Sequence, residues 1–498
     1  MVRRSAGVFL LLAAASLVSA RESRAELKLH GLFGDGMILQ REIPCPVWGT
    51  STPGDAVSVS IAGQTKSTKA GADGRWSLKL DPLKAGGPYE LKVNHLVLRD
   101  VLVGEVWLAS GGENMEMPVK TALISKTEPD DNPAAMIRFF VVPRRESETP
   151  LKDVEGTWKS NHSEAVAEVS ATAYYFAREL RKRLKVPVGF IQATAENSTG
   201  EMWMSKEMMA ATPGLRFVTV PHNLDMANYE IMIQVYAGYL RRVEEAKKKG
   251  EPPPLLMPKP IKPMPFSGYY HGMIAPIAPF GIRGAILYGG ESESYRTFVY
   301  KAELSAQITG WRKLWGLGEF PVGFVQITNR GRREEDITET AMPKFREAQT
   351  QALQTPNTGM VVTVDLSDGS TLQPRNKEEI GRRFALWAEN RAYGKTDVVY
   401  SGPMYDSMKI EGSKVRIFFK NTGGGLKMGG DKLTGFMMAS DFRRFFWANA
   451  AIEGNSVVVT CDDVRWPAAV RYGWADNADA SLFNEEGLPA SPFRTDPW

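Results

Sequence analysis

Apolar and polar positions alternate along the first hundred residues in short runs, AVSVSIAG, RWSLKL and YELKV. Turn-forming groups such as Pro53-Gly54-Asp55 and Gly71-Ala72-Asp73-Gly74 separate them. Period-two alternation between such breaks predicts a small β-sandwich over residues 26–100. From about residue 101 the pattern changes. Wholly apolar runs (VLVGEVWLA, VPVGFIQAT, IRGAILYGG, FPVGFVQIT, GMVVTVD) now alternate with segments whose apolar residues recur at three- and four-residue steps: ATAYYFARELRKRL, YEIMIQVYAGYLRRVEEAKKK, TAMPKFREAQTQAL and KEEIGRRFALWAEN. Strand and helix in alternation predict an α/β domain over 101–395, a mostly parallel sheet covered on both faces. The segment EPPPLLMPKPIKPMP, 251–265, cannot continue a helix and reads as an extended surface loop. Short β runs (KVRIFFKN, SVVVTC, AVRYGW) return after about residue 396 and predict a second β module to residue 498.

Ligands of an open parallel sheet bind at the carboxyl ends of its strands. The turns there are SGGENM (Ser110 to Met115), AENSTGEMW (Ala195 to Trp203), GGESES (Gly289 to Ser294) and DGSTLQPRNK (Asp368 to Lys377).

Composition narrows the setting. The 498 residues are 43% apolar, enough for several cores. Residues 1–20 combine Arg3 and Arg4, the apolar stretch VFLLLAAASLV and small residues at Val18-Ser19-Ala20, the pattern of a cleaved secretory signal, too short for a membrane anchor. The mature chain is expected to begin near Arg21, to be secreted or periplasmic, and to have no membrane span. Losing Arg3 and Arg4 takes the formal charge from +4 to +2, and the signs are interspersed, so nucleic acid is not an expected partner. Cys45 and Cys461 are the two cysteines. An exported chain allows them to bridge, and two small buried side chains are the alternative.

Several short motifs resemble the sialate O-acetylesterase family of the SGNH/GDSL hydrolases: MILQR and PVWG near the start, GEVWLASG (Gly104 to Gly111), NMEMPV (Asn114 to Val119), VPVG (Val186 to Gly189), GMIAP (Gly272 to Pro276), RGAILYGGES (Arg283 to Ser292), PRNK (Pro374 to Lys377) and EGLPASPFRTD (Glu486 to Asp496). The resemblance spans nearly the whole mature chain. It implies an SGNH-hydrolase-like three-layer α/β domain between N-terminal and C-terminal β-sandwich modules, and an esterase that removes acetyl groups from sialic acids. Such chemistry needs a serine nucleophile, a histidine base, an aspartate to orient it and donors for the oxyanion.

Those groups are replaced. The family's Gly-Gln-Ser-Asn turn falls on Gly111, Gly112, Glu113 and Asn114, which puts Glu113 in the nucleophile's place. Its Asp-Ile-His-Pro falls on Thr371, Leu372, Gln373 and Pro374, so Thr371 and Gln373 stand where orienter and base belong. The Trp-Gly-Gly-Thr turn, whose amides approach the oxyanion, falls on Ala195, Glu196, Asn197 and Ser198, and Gln-Gly-Glu-Ser-Asn on Gly289, Gly290, Glu291, Ser292 and Glu293. The resemblance thus predicts the shape of an esterase site without its reacting atoms.

The expected binding set is Glu113, Asn114, Glu196, Asn197, Tyr269, Tyr270, His271, Glu291 and Glu293. Tyr269 and Tyr270 are candidates for stacking on a sugar, as aromatics or else core fillers. His271 is the histidine beside a family pocket segment, and Ser110 and Ser292 are serines near the turns. No cofactor is expected, save a possible divalent cation if Glu113, Glu196, Glu291 and Glu293 converge, because crowded carboxylates repel one another. Three functions stay open: an inactive relative that binds a glycan or another small extracellular ligand, a hydrolase using displaced groups or paired carboxylates, and a purely structural exported protein.

Overall fold

The computed structural model describes residues 26–123, 136–161, 164–260, 262–263, 266–333 and 340–498, so the export signal expected at 1–20 lies outside the described residues. The core is a sheet built on one long strand, β1 (Leu96–Gly111). It continues through β2 (Ile137–Val141), β3 (Lys159–Ser160), β4 (Val188–Thr194), β5 (Gly284–Tyr288), β6 (Val322–Val325) and β7 (Thr358–Val361), in the spatial order β3-β2-β4-β1-β5-β6-β7. All neighbours in this series are parallel except the β2–β3 edge pair. Apolar runs in β4, β5 and β6, and the wholly buried β7, fit strands buried on both faces.

Helices cover both faces. On one side α1 (Ala171–Leu184) packs on α4 (Lys377–Arg391), burying Phe176, Leu180, Ile380, Phe384 and Trp387. On the other, α2 (Thr297–Trp315) packs on α3 (Ala341–Ala352), burying Leu304, Ile308, Trp311 and Phe345. The three-layer α/β architecture is therefore present. Along the chain order β1, β4, β5, β6, β7, the connections leave β1 first to one side and then to the other, which opens a crevice at the carboxyl ends of β1 and β5.

Residues 26–100 form a three-stranded sheet (Lys28–Leu29, Cys45–Thr50, Arg75–Leu80) and further strands, of which Ile38–Gln40 and Gly86–Val93 pair with the first half of β1. The change of pattern at residue 101 falls inside β1. Its first five residues are half-buried or exposed, and the ten from Val101 to Ser110 are buried, so a single strand passes from a solvated sheet into a covered one. Residues 396–498 form antiparallel sheets on a shared core of Val415, Ile417, Phe436, Met438, Val457, Val459, Val470 and Tyr472. Arg346 of α3 pins them to the α/β domain. Fully buried, it donates to Ala475 O at 2.7 Å and Asp476 O at 2.9 Å as well as to Thr328 O at 2.9 Å.

Cys45 and Cys461 are both buried and free. They do not bridge: Cys45 Sγ lies 3.0 Å from Gln40 O, and Cys461 Sγ lies 3.6 Å from Trp447 O. Burial pushes the Cys45 thiol up to about 12. Among the described residues no helix is long and apolar enough to cross a membrane.

Candidate functional site

The turn after β1 is held against the turn after β5 by backbone. Gly112 N–H donates to Tyr288 O at 3.0 Å, and Ala195 N–H to Gly111 O at 3.0 Å. Gly111 has φ +145, and a Cβ there would lie 2.0 Å from Tyr288 O. Only glycine fits both the backbone angle and the approach. The chain then turns into a single helical turn, Glu113–Glu116, whose Asn114 is fully buried.

Asn114 ties three turns together. Its Nδ2 donates to Glu291 Oε1 and, at 2.8 Å, to Leu372 O, while its Oδ1 accepts from Lys377 Nζ. The expected meeting of the 110–115, 289–294 and 368–377 turns is thus made through one amide. Lys377, at the start of α4, is 0% exposed. Burial lowers its amine to about 7, against the pull of Glu291. Burial likewise raises the Glu291 carboxyl, while the Asn114 hydrogen bond lowers it.

Glu113, in the nucleophile's place, is half-buried, and its Oε1 accepts from Asn197 N–H at 3.0 Å. Glu116, one turn on, accepts from Glu196 N–H through Oε2 at 2.6 Å. Two successive backbone amides of the 195–198 turn therefore already point at carboxylates. Asn197 holds φ +55, a left-handed angle that asparagine tolerates where the family pattern has glycine. Burial raises the Glu116 carboxyl, and the Glu196 amide opposes this.

The expected acidic cluster does not form as one group. Glu113 and Glu291 stay near the Asn114 turn, with Glu113 raising Glu291 by its charge. Glu196 is 58% exposed and faces Arg144 at 3.6 Å. Glu293 turns inward, 5% exposed, onto Arg296 at 2.7 Å. Residues two apart on a helical turn point to different sides, which separates Glu291 from Glu293.

The other candidates are also displaced from their expected roles. Tyr269 is fully buried against Trp203 at a centroid distance of 5.1 Å, and its OH accepts from Arg144 Nε at 3.1 Å. Tyr270 is 8% exposed. Both are core fillers, with little ring face left for a sugar. His271 is buried with Nδ1 3.2 Å from Ser147 O. Thr371 and Gln373 form a local turn in which Gln373 N–H donates to Thr371 Oγ1 at 2.9 Å. Ser110 Oγ is buried without a hydrogen-bond partner among the described residues, so no base contacts it. Ser292 is half-buried on the Glu291–Glu293 turn.

Sequence reasoning missed Lys377, which it carried only as part of PRNK, and the carboxylates Glu201 and Glu303 with Arg296. For Glu303 and Lys377 the one sequence signal is a charged residue within a helix pattern: Glu303 lies one position before Leu304 on α2, and Lys377 opens α4.

Comparison with known proteins covers nearly the whole chain. A carbohydrate acetylesterase from Xanthomonas citri superposes with a TM-score of 0.78 at 35% identity, over 95% of this chain and all of that one. Sialate O-acetylesterase of Rattus norvegicus is 28% identical over 82% of this chain and 81% of its own length. The Homo sapiens sialate O-acetylesterase is 27% identical over 95% of this chain and 93% of its own. No family model matches the chain.

Proposed function

The chain belongs to the sialate O-acetylesterase family of SGNH-type carbohydrate esterases, and we propose that it is an exported member that binds a glycan without cleaving acetyl esters by the serine mechanism. One observation carries the reading: the carboxylates of Glu113 and Glu116 occupy the backbone amides of Asn197 and Glu196. In an esterase of this shape, amides of this turn would have to be free for the developing oxyanion. Here a fixed negative charge sits on them, so an anionic tetrahedral intermediate would be repelled instead of stabilised. Attack by Glu113 itself would give an anhydride, and neither Gln373 nor Thr371 can activate water to resolve it.

The binding half of the proposal rests on the same atoms. Glu113, Glu116 and Glu196 offer carboxylate acceptors, and Arg144 beside them offers guanidinium donors, a set suited to the hydroxyls of a sugar. Acetylated sugars are what the similar proteins act on by name, so a sialylated or O-acetylated glycan is the proposed ligand class.

The test sets the purified mature protein beside an active family member, on an aryl acetate and on an O-acetylated sialic acid, and titrates it with free and O-acetylated sialosides by calorimetry. Turnover at background with saturable binding is expected. Family-like turnover would overturn the first half, and no saturable binding to any sialoside the second. An N-terminus still carrying residues 1–20 on the native protein would remove export.

A further inference from the structure

Behind the Ser110–Gly112 turn the chain buries three carboxylates around one guanidinium. Arg296 grips Glu201 through Nη1 at 3.1 Å and Nη2 at 2.9 Å, and the same Nη2 reaches Glu293 Oε1 at 2.7 Å and Glu303 Oε1 at 3.0 Å. The three acidic side chains are 12, 5 and 2% exposed. One arginine cannot balance three carboxylates, and ionised together they leave a buried charge of −2.

A second observation does not come from the acids alone. A cavity of about 40 Å³ lies between Ser110, Gly112, Thr199, Tyr288, Glu293 and Glu303. Among these wall residues, Ser110 Oγ and Glu303 Oε2 are buried with no hydrogen-bond partner among the described residues, and Ser110 is only 1% exposed. A cavity of this size with polar groups in its wall has room for one ion or water. Orphaned buried oxygens in its walls call for an occupant.

We propose that one divalent, oxygen-preferring cation of the Ca²⁺ class binds at the edge of this cavity, held by an oxygen each from Glu293 and Glu303 in its wall and from Glu201 beside it, and completed by neutral oxygens such as Ser110 Oγ. One oxygen from each of the three carboxylates lies within 4.8 Å of the others. Ligands about 2.4 Å from a common ion are at most about 4.8 Å apart, so the spacing fits Ca²⁺. A +2 ion beside Arg296 brings the cluster to zero. Mg²⁺ keeps several waters for which this cavity has no room, and no thiolate or imidazole is among these ligands to favour Zn²⁺. The cation expected from the sequence is thus moved from the outward-facing glutamates to an inner set that shares only Glu293 with them. The rival way to neutralise the cluster is protonation of Glu293 and Glu303, both of which burial pushes up.

The test needs neither glycan nor turnover. The full mature protein is dialysed against chelator and titrated with Ca²⁺, Mg²⁺ and Mn²⁺ while melting temperature, bound metal and proton release are recorded. One equivalent of Ca²⁺ per chain is expected, with a melting point raised by about 2–4 °C or more and protons released on binding. Glu303→Gln should abolish the shift, and Glu113→Gln, outside the cluster, should keep it. Should Glu303→Gln fail to fold, the wild-type stoichiometry decides alone. Absence of bound metal and of any melting shift at millimolar Ca²⁺ overturns the proposal in favour of protons and water, as does a shift that survives in folded Glu303→Gln.

Discussion

The ammonium of Lys377 lies 4.6 Å from the centroid of the Tyr288 ring, and both side chains are buried. Tyr288 ends the strand beside β1, so this contact clamps α4 onto the floor of the candidate site. A cation over an aromatic face is favourable, but desolvation dominates here. It draws the amine down to about 7 and pushes the Tyr288 hydroxyl well above its ordinary value.

The contribution of Lys377 to stability should therefore rise with pH above neutrality, against the opposite slope of Glu303, whose carboxyl burial raises to about 10. An unfolded lysine titrates near 10.4, so between about 7 and 10.4 the unfolded chain binds more protons than the folded one, and the folded state gains as pH climbs. Below about 7 both states are protonated and the full penalty remains. The Lys377 gain across the window is on the order of 3–5 kcal/mol, and the difference between wild type and Lys377→Met in urea denaturation at pH 7 and pH 9 measures about half of it. Lys377→Met should lose this component of the slope.

Gly111→Ala should be among the most damaging single changes. The new Cβ would sit 2.0 Å from Tyr288 O on a backbone at φ +145, so either β1 or β5 must shift. A loss of about 3 kcal/mol or more is expected in chemical denaturation. A loss below ~1 kcal/mol would mean the two turns are not locked as described.

Removing the carboxylate at 113 should expose an anion site. In Glu113→Ala the Asn197 amide loses its acceptor, and added acetate should shift that amide's ¹⁵N resonance in a saturable way. The wild-type amide should stay put at the same acetate concentration.

Restoring the nucleophile alone should not restore an esterase. Glu113→Ser still has Gln373 and Thr371 where a base and its orienter are needed, and triad members act as a unit. Turnover of an aryl acetate is expected within about tenfold of background. A gain of more than ~10³-fold would show that another base reaches residue 113.

How much of this could be read from the chain differs by element. The helix Ala171–Leu184 coincides with the spaced segment ATAYYFARELRKRL, because its stripe of Ala173, Phe176, Ala177 and Leu180 is purely apolar. Thr297–Trp315 is less legible: its buried side includes Glu303 and Arg312, and polar residues inside the stripe blur the period. A longer helix, Arg216–Lys249, extends thirteen residues ahead of the segment YEIMIQVYAGYLRRVEEAKKK, and Pro221 hides that first stretch. At the site, the turns were legible from their flanks, since glycine positions and strand ends are local features. Side-chain direction was not. Nothing in ESE says that Glu291 meets Asn114 while Glu293 meets Arg296, and the burial of Tyr269 depends on Trp203, sixty-six residues away.

The length of β1 bears on how the protein yields under load. Because one strand belongs to an N-terminal sheet at its start and to the parallel sheet at its end, no hinge lies between those two sheets among the described residues. Glu105, buried at the join, reinforces it by gripping Arg41 and, at 2.9 Å, Arg283. Strain applied to residues 26–95 is transmitted along the backbone to Gly111 and Glu113 and not absorbed by a linker. The N-terminal sheets act as a rigid handle on the site's floor, and the two should melt as one cooperative unit.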